Sequence, residues 1–523
     1  MDCVLLLSHP WLIITARELT PSHWIALFGG ALSIILFIVV AYAERSSVRS
    51  TSDFLFAGSS LTKRTLANNL AATATSFAGV LLFFFTQTPL FGWIVLAVIV
   101  FATGGQAVFL SLVKRVDPSP SQTGSIYRFL LWRVGSPRLA AVANIIVVMN
   151  FLIILLIELV IGAGLFAYFT PWLENARLWG MIFFGLLVLS YVIVGGFKTV
   201  TFSDTWQFWL YATGLSLAFI LVLISFGNSG HGYAEALKVF KTPNLPPIIW
   251  LAFLLNVIVV NLTLPSSQIS SWQRFASSKN KDEFTKGVWH ALKYRFWWVW
   301  LIAILLAALT AVRHGPIREM GDIFNSIRNL GFLGSLIVFP LLFVGLLAAL
   351  VSTADSMFIS LLLGIEDFRA GASADKAHDV DQRPIPRLRF LLYGLVALVL
   401  AFVLFRLLQA LGTDIWAQRV VQLMFVGYGQ AILLFPILWC ASRSPINSTQ
   451  FNAKEGIIGL ILAVLVLWIV SICGIVIDWK YSPVLTYSGP VVALLIAWLG
   501  VRSGTKKASQ VQNTSQAESE DPF

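Results

Sequence analysis

The sequence predicts an all-α, polytopic membrane protein of about thirteen transmembrane helices. Three observations carry that class. Hydrophobic residues make up 58% of the 523-residue chain and charged residues only 12%. Mean hydropathy is +0.82, far from the composition of a soluble domain. Apolar stretches of about 20 residues recur along nearly the whole length, and in lipid each satisfies its backbone only as a helix.

Taken in order, residues 1–22 form an external N-terminal arm: a short apolar run lacks the cationic start and small-residue cleavage site of a signal peptide. A peripheral helix follows at 23–43. The second span, 66–87, is small and hydroxylated in its first half and bulky in its second. Further spans fall near 90–113, 139–168, 178–196 and 205–226, the last two joined through the glycine turn Gly195-Gly196. The seventh, 247–269, contains Pro265, and the eighth, 292–311, opens on Phe296-Trp297-Trp298-Val299-Trp300. Spans at 332–362, 388–411 and 418–441 precede two peripheral helices within 456–501. The polar stretch 502–523 has no core-forming residues and reads as a disordered cytoplasmic tail.

The formal net charge of +11 suggests a nucleic-acid partner only until the basic residues are placed. They sit in short loops. About 26 of the 36 fall on one side of the thirteen-span arrangement and about nine on the other. The richer side reads as cytoplasm, which puts the amino terminus outside and the carboxyl terminus inside a cell (inner) membrane. The three cysteines have no metal-ligand spacing and do not suggest a disulfide framework. The six histidines are scattered, and no paired-carboxylate, nucleophile or transition-metal constellation points to an enzyme.

Polar groups near the middle of spans mark a solute pathway, above all where a helix is interrupted. Gly79 permits local unwinding of the second span and exposure of its carbonyls; the same stretch also fits a small-residue packing face. In the ninth span Ser352 and Ser356 lie one turn apart, with Thr353 beside them and Asp355 on the adjacent edge. Hydroxyls plus freed carbonyls suit a hard cation, although serines also bond their own helix carbonyls. Glu158 lies mid-span among leucine and isoleucine, where ionisable groups are functional candidates. Asn256, Asn261 and Gln268 flank Pro265, which frees a backbone carbonyl, so solute contact is expected there. Trp272-Gln273-Arg274 reads as a cytoplasmic end-anchor.

Two motifs together give a resemblance. The run Gly195-Gly196-Phe197-Lys198-Thr199-Val200-Thr201-Phe202-Ser203-Asp204-Thr205-Trp206-Gln207 and the segment Ala349-Leu350-Val351-Ser352-Thr353-Ala354-Asp355-Ser356 resemble the solute:sodium symporter family. Ser52-Asp53-Phe54-Leu55-Phe56-Ala57-Gly58 and Trp272-Gln273-Arg274 support it, and the likeness runs from about residue 52 to 442. The resemblance implies the inverted-repeat (LeuT-like) fold with a 5+5 core, its first repeat at 66–226 and its second at 247–441. It further implies a sodium site made by the carbonyls of Ala72, Thr75 and Ala349 and the hydroxyls of Ser352 and Thr353. Asp204, Asp355 and Ser356 match a second cation or exit site, with aspartate at 355 where relatives carry a serine. The relatives' acidic residue near the sodium site is Ala74 here, and Gly79 replaces a longer polar side chain, which disfavours sugar as the solute.

The function expected is a sodium-coupled symporter importing a small organic or anionic solute by alternating access. Its partners are then the solute, the Na+ coupling ion and membrane lipid. A proton-coupled symporter of the same fold is one alternative. A transporter-like solute sensor is the other.

Overall fold

The computed structural model describes residues 20–228, 237–240, 245–315, 320–370, 384–410, 417–443, 452–477 and 481–519. Nearly all of them are helical. The first is α1 (Pro21–Glu44), opened by Thr20 as N-cap and by a proline whose missing N–H costs a first turn nothing. A short α2 (Thr51–Phe56) follows; its capping box pairs Ser50 with Asp53. The second expected span is then split into α3 (Lys63–Ala74), a wide turn over Phe77–Leu82, and α4 (Phe83–Phe91). Next come α5 (Ala97–Val113), the amphipathic α6 (Ile126–Val134), α7 (Pro137–Phe169) and α8 (Ala176–Asn228). Ser125 and Ser136 cap α6 and α7 by accepting from the N–H groups of Arg128 and Leu139.

The second half of the chain opens with another broken helix, α9 (Pro247–Ser267) and α10 (Ile269–Ser277). Asn280 caps α11 (Lys281–Ala291), which leads through a wide turn into α12 (Trp297–His314). A short α13 (Met320–Arg328) precedes α14 (Phe339–Ala370), and α15 (Arg387–Ala410), α16 (Ala417–Ile432) and α17 (Phe435–Arg443) follow. The last two helices are α18 (Ala453–Val476) and α19 (Ser482–Ser519).

Eleven helical stretches among the described residues are long and apolar enough to cross a membrane, where about thirteen were expected. Two of the eleven are interrupted by glycine. α8 would be about 80 Å long if straight, well over twice a hydrocarbon core of about 30 Å. It turns at Gly196 (φ 59°, ψ −163°). The stretch Gly79–Val113 turns at Gly92 (φ 54°). The chain is a multi-pass membrane protein whose lipid-facing surface is plain from exposure: Phe28 on α1 is 73% exposed and Leu388 on α15 is 72%. α7 and α14, by contrast, are buried along most of their length and form the centre of the bundle.

Segments that carried the resemblance pack against one another. Gly196 lies against Phe54, Gln273 donates to the Leu55 carbonyl (2.6 Å), and Ser59 donates to the Ala276 carbonyl (2.9 Å). A Cβ on Gly196 would sit 2.7 Å from the Phe54 carbonyl oxygen and ring, in a backbone region that is essentially glycine-only. Gly196→Ala is therefore expected to cost at least about 2 kcal/mol, read as a lowered unfolding midpoint in detergent. An unchanged midpoint would refute this account of the turn.

Two expectations at the ends meet the structure differently. The N-terminal arm lies outside the described residues except for its last three, and of these Pro21 and Ser22 already belong to α1. The tail expected to be disordered continues α19 as far as Ser519. Extending an existing helix requires no new nucleus, so a polar sequence rich in Gln, Ser and Ala carries on as helix.

Candidate functional site

The site begins where two helices stop. α3 ends at Thr75 (φ −106°, ψ 43°), whose hydroxyl donates to the carbonyls of Ala71 (2.8 Å) and Ala72 (3.1 Å). Ser76 Oγ then accepts from the Gly79 N–H (2.6 Å) and starts the next stretch. The break thus falls at Thr75–Ser76, not at Gly79, whose φ is unexceptional. A Cβ there would meet Ser76 Oγ at 2.7 Å, so the glycine serves close approach instead. The Ala74 carbonyl, freed by the break, accepts from the Trp300 indole (3.2 Å).

The second break is at Gln268 (φ −93°, ψ 128°), between α9 and α10. Pro265 has no N–H to give the Asn261 carbonyl four residues back, and that oxygen lies against Gly105 of α5, where no side chain would fit. Trp272 donates to the Ser266 carbonyl through its indole (2.9 Å).

Between the two breaks lies a cavity of about 160 Å³. Gly79, Asn261, Gln268 and Thr353, four of the expected site residues, line it. Phe83, Phe296, Trp300 and Phe425 form an apolar wall, while Thr73, Ser76, Ser271 and Arg274 are polar. Asn261 spends its N–H on its own helix, donating to Val257 O (2.8 Å).

Beside the cavity, a buried network joins four helices. Arg274 of α10 donates from Nε to Asn69 Oδ1 and from Nη2 to Thr73 Oγ1 (2.6 Å), both on α3. Asn69 Nδ2 donates to Asp204 Oδ2 on α8, and Ser352 of α14 donates to Asp204 Oδ1 (2.5 Å). Thr73 and Ser356 hydroxyls share a bond of 3.2 Å. Asp355 is fully buried, its carboxylate beside Ser356. Arg274 is only 3% exposed, so the end-anchor expected of it is corrected: α10 is an interior half-helix, and its arginine reaches the middle of the polar cluster.

The expected sodium ligands are near this network. The Ala72 carbonyl takes the Thr75 bonds, and Thr353 donates to the Ala349 carbonyl (3.1 Å). Both Ser352 and Thr353 therefore direct their hydrogens at acceptors and leave oxygen lone pairs uncommitted.

Two candidates stand apart from the cavity. Asn256 donates to the Tyr487 carbonyl (2.6 Å) and fastens α9 to α19, which suits packing better than solute contact. Glu158 of α7 is 1% exposed, lies beside Ser76 of the cavity lining, and among the described residues has no partner on Oε2. Asn69, Thr73 and Arg274 were not anticipated as site residues.

No protein-family profile matches the chain, and no curated protein does. Solved structures do. One is a substrate-bound, outward-open Na+-coupled sialic acid symporter, 15% identical, covering 94% of this chain and 98% of that one with a TM-score of 0.59. Another is Mhp1, a nucleobase-cation-symport-1 family transporter in a closed conformation with bromovinylhydantoin bound. It is 14% identical and covers 87% of this chain and 95% of that one, with a TM-score of 0.53. At such identity the common ground is the fold. The chain is thus an all-α, multi-pass membrane protein with the inverted-repeat, LeuT-like fold.

Proposed function

We propose that the protein is a secondary active symporter of the solute:sodium symporter type, moving a small organic or anionic solute by alternating access. One observation carries this: the opening helix of each repeat is discontinuous, and both breaks face the same cavity. Broken helices at a repeat interface are where transporters of this architecture present freed backbone groups to solute and ion.

Sodium is the proposed coupling ion. Its ligands would be the carbonyls of Ala72, Thr75 and Ala349 and the hydroxyls of Ser352 and Thr353, all hard oxygens suited to such a cation. Asp204 and Ser356, with Asp355, would form the second cation or exit position. Cation binding between α3 and α14 would draw the two against each other and order the cavity. Inward release then requires the Thr73–Ser356, Asn69–Asp204 and Ser352–Asp204 bonds to part, since these tie α3, α8 and α14 to one another. For a solute without net charge, about 2.3 kcal/mol at 100 mV plus about 1.4 for a tenfold ion gradient supports roughly a several-hundred-fold solute gradient; a monoanion carried with one sodium moves no net charge and is driven by the ion gradient alone, about tenfold.

The first test is thermal unfolding of the purified chain in sodium, potassium and choline salts against a solute panel. Stabilisation specific to sodium, followed by uptake into proteoliposomes, supports the reading. Stabilisation without uptake favours a solute sensor. The carboxylate of Asp355, fully buried beside the network, supports proton coupling as a second reading. On that reading Asp355→Asn abolishes uptake driven by a pH gradient alone and spares the sodium-driven part. Retention of both drives would remove it. The proposed orientation, with the amino terminus outside, predicts that a cysteine introduced into the tail is labelled only from the cytoplasmic side.

A further inference from the structure

We infer that the cavity takes a carboxylate-bearing solute with an aromatic or similarly apolar body, Arg274 holding the carboxylate. This rests on the reading of the cavity as the solute site and narrows it to a chemical class.

Charge gives the first reason. Arg274 is the one charged residue among those lining the cavity. It is 3% exposed, yet among the described residues no carboxylate lies within ion-pair distance of it. Its nearest acceptors are neutral, Asn69 Oδ1 and Thr73 Oγ1, and Asp204 is reached only through Asn69. These two bonds use two of the five N–H donors of a guanidinium and fix its plane. A buried arginine held this way, with donors to spare at a cavity wall, matches the planar two-oxygen geometry of a carboxylate.

Shape gives the second. The same cavity is lined by Phe83, Phe296, Trp300 and Phe425, with Phe296 and Trp300 ring centroids 4.1 Å apart. Met357 and Met424 add adaptable sulfur contacts that suit a ring. A space of about 160 Å³ holds on the order of ten non-hydrogen atoms. That is the size of a phenyl ring with a short acid arm.

The surrounding charges make the anion's entry depend on a cation. One arginine against Asp204 and Asp355 leaves an excess negative charge, which a bound sodium ion offsets. An anionic solute therefore binds best after the ion, and the order of binding supplies coupling.

The test uses the purified full-length protein and the probes phenylacetate, 3-phenylpropionate and L-phenylalanine, each in sodium and in potassium salt. Phenylacetamide, phenethylamine and acetate are the matched controls. The expected result is an unfolding midpoint raised by several degrees by the aromatic acids in sodium, with the amide and the amine at least tenfold weaker and acetate weakest. Trp300→Ala, which leaves the arginine in place, should weaken the aromatic acids at least tenfold. The L-phenylalanine arm separates plain acids from amino acids, and binding of either kind fulfils the inference. Equal stabilisation by phenylacetamide, or no stabilisation by any aromatic acid, overturns it. Because these readouts are of binding, they are independent of uptake: a transporter shown to carry a neutral solute through this cavity would sink the inference and leave the function standing. Aromatic acids that bind but are never carried would do the reverse.

Discussion

Replacing Arg274 with leucine is expected to lower stability by about 1–3 kcal/mol, because it takes the donor away from buried acceptors and the one cation away from a buried polar cluster. Asp204 lies one hydrogen bond beyond Arg274, reached through Asn69. Removal of the arginine leaves Asn69 Oδ1 and Thr73 without their donor. Lysine at 274 keeps the charge but loses the fork that bonds both partners at once, so its loss should be intermediate. Combining Arg274→Leu with Asp355→Asn should recover part of the loss, since one uncompensated charge goes with the arginine. Unfolding midpoints in detergent check all three. If Arg274→Leu unfolds where the parent does, the buried network is not what joins these helices.

The second large effect is on coupling. Ser352→Ala with Thr353→Ala should abolish sodium-stimulated binding and uptake. Losing a group from even the outer shell of a metal site costs about 10–100-fold in affinity, and these hydroxyls are proposed as direct ligands. Ser352→Ala also removes a donor from Asp204, so a cost of about 1–3 kcal/mol in stability accompanies it. Ser352→Thr keeps the hydroxyl and is the control: it should retain sodium dependence. Sodium titrations followed by unfolding midpoint separate the two effects, since lost affinity moves the titration and lost stability moves the baseline. A double variant with the parent's sodium dependence would refute the assignment.

The all-α, membrane-spanning architecture was legible because apolar length is a property of the sequence itself, while the inverted-repeat arrangement was implied by the resemblance of two short motifs. The turn at Gly196 was legible for the same reason, since two adjacent glycines between long apolar runs demand a reversal. The site was legible only in part. The hydroxyl segment of α14 was found, and the small-residue segment it meets was found, through their composition. The position of the break was missed because Gly79 looks like the permissive residue, whereas the backbone leaves the helix at Thr75 and Gly79 keeps an ordinary φ. Arg274 was missed because an arginine just past the end of an apolar run reads as an anchor. What marks it as interior is that the chain restarts as helix after Gln268, with Ile269, Trp272, Phe275 and Ala276 all buried. That pattern sits in the sequence at helical spacing. Asn256 shows what spacing alone does not reveal: a polar residue of the proline-containing span donates across to the Tyr487 carbonyl of α19.

The most direct measurement is accumulation of solute in proteoliposomes under an imposed sodium gradient, with the gradient then collapsed by a sodium ionophore. If broken helices close around a coupled ion, solute rises above its external concentration while the gradient lasts and runs back out when it is dissipated. Accumulation indifferent to sodium, or mere equilibration at the same rate in potassium, would contradict the account.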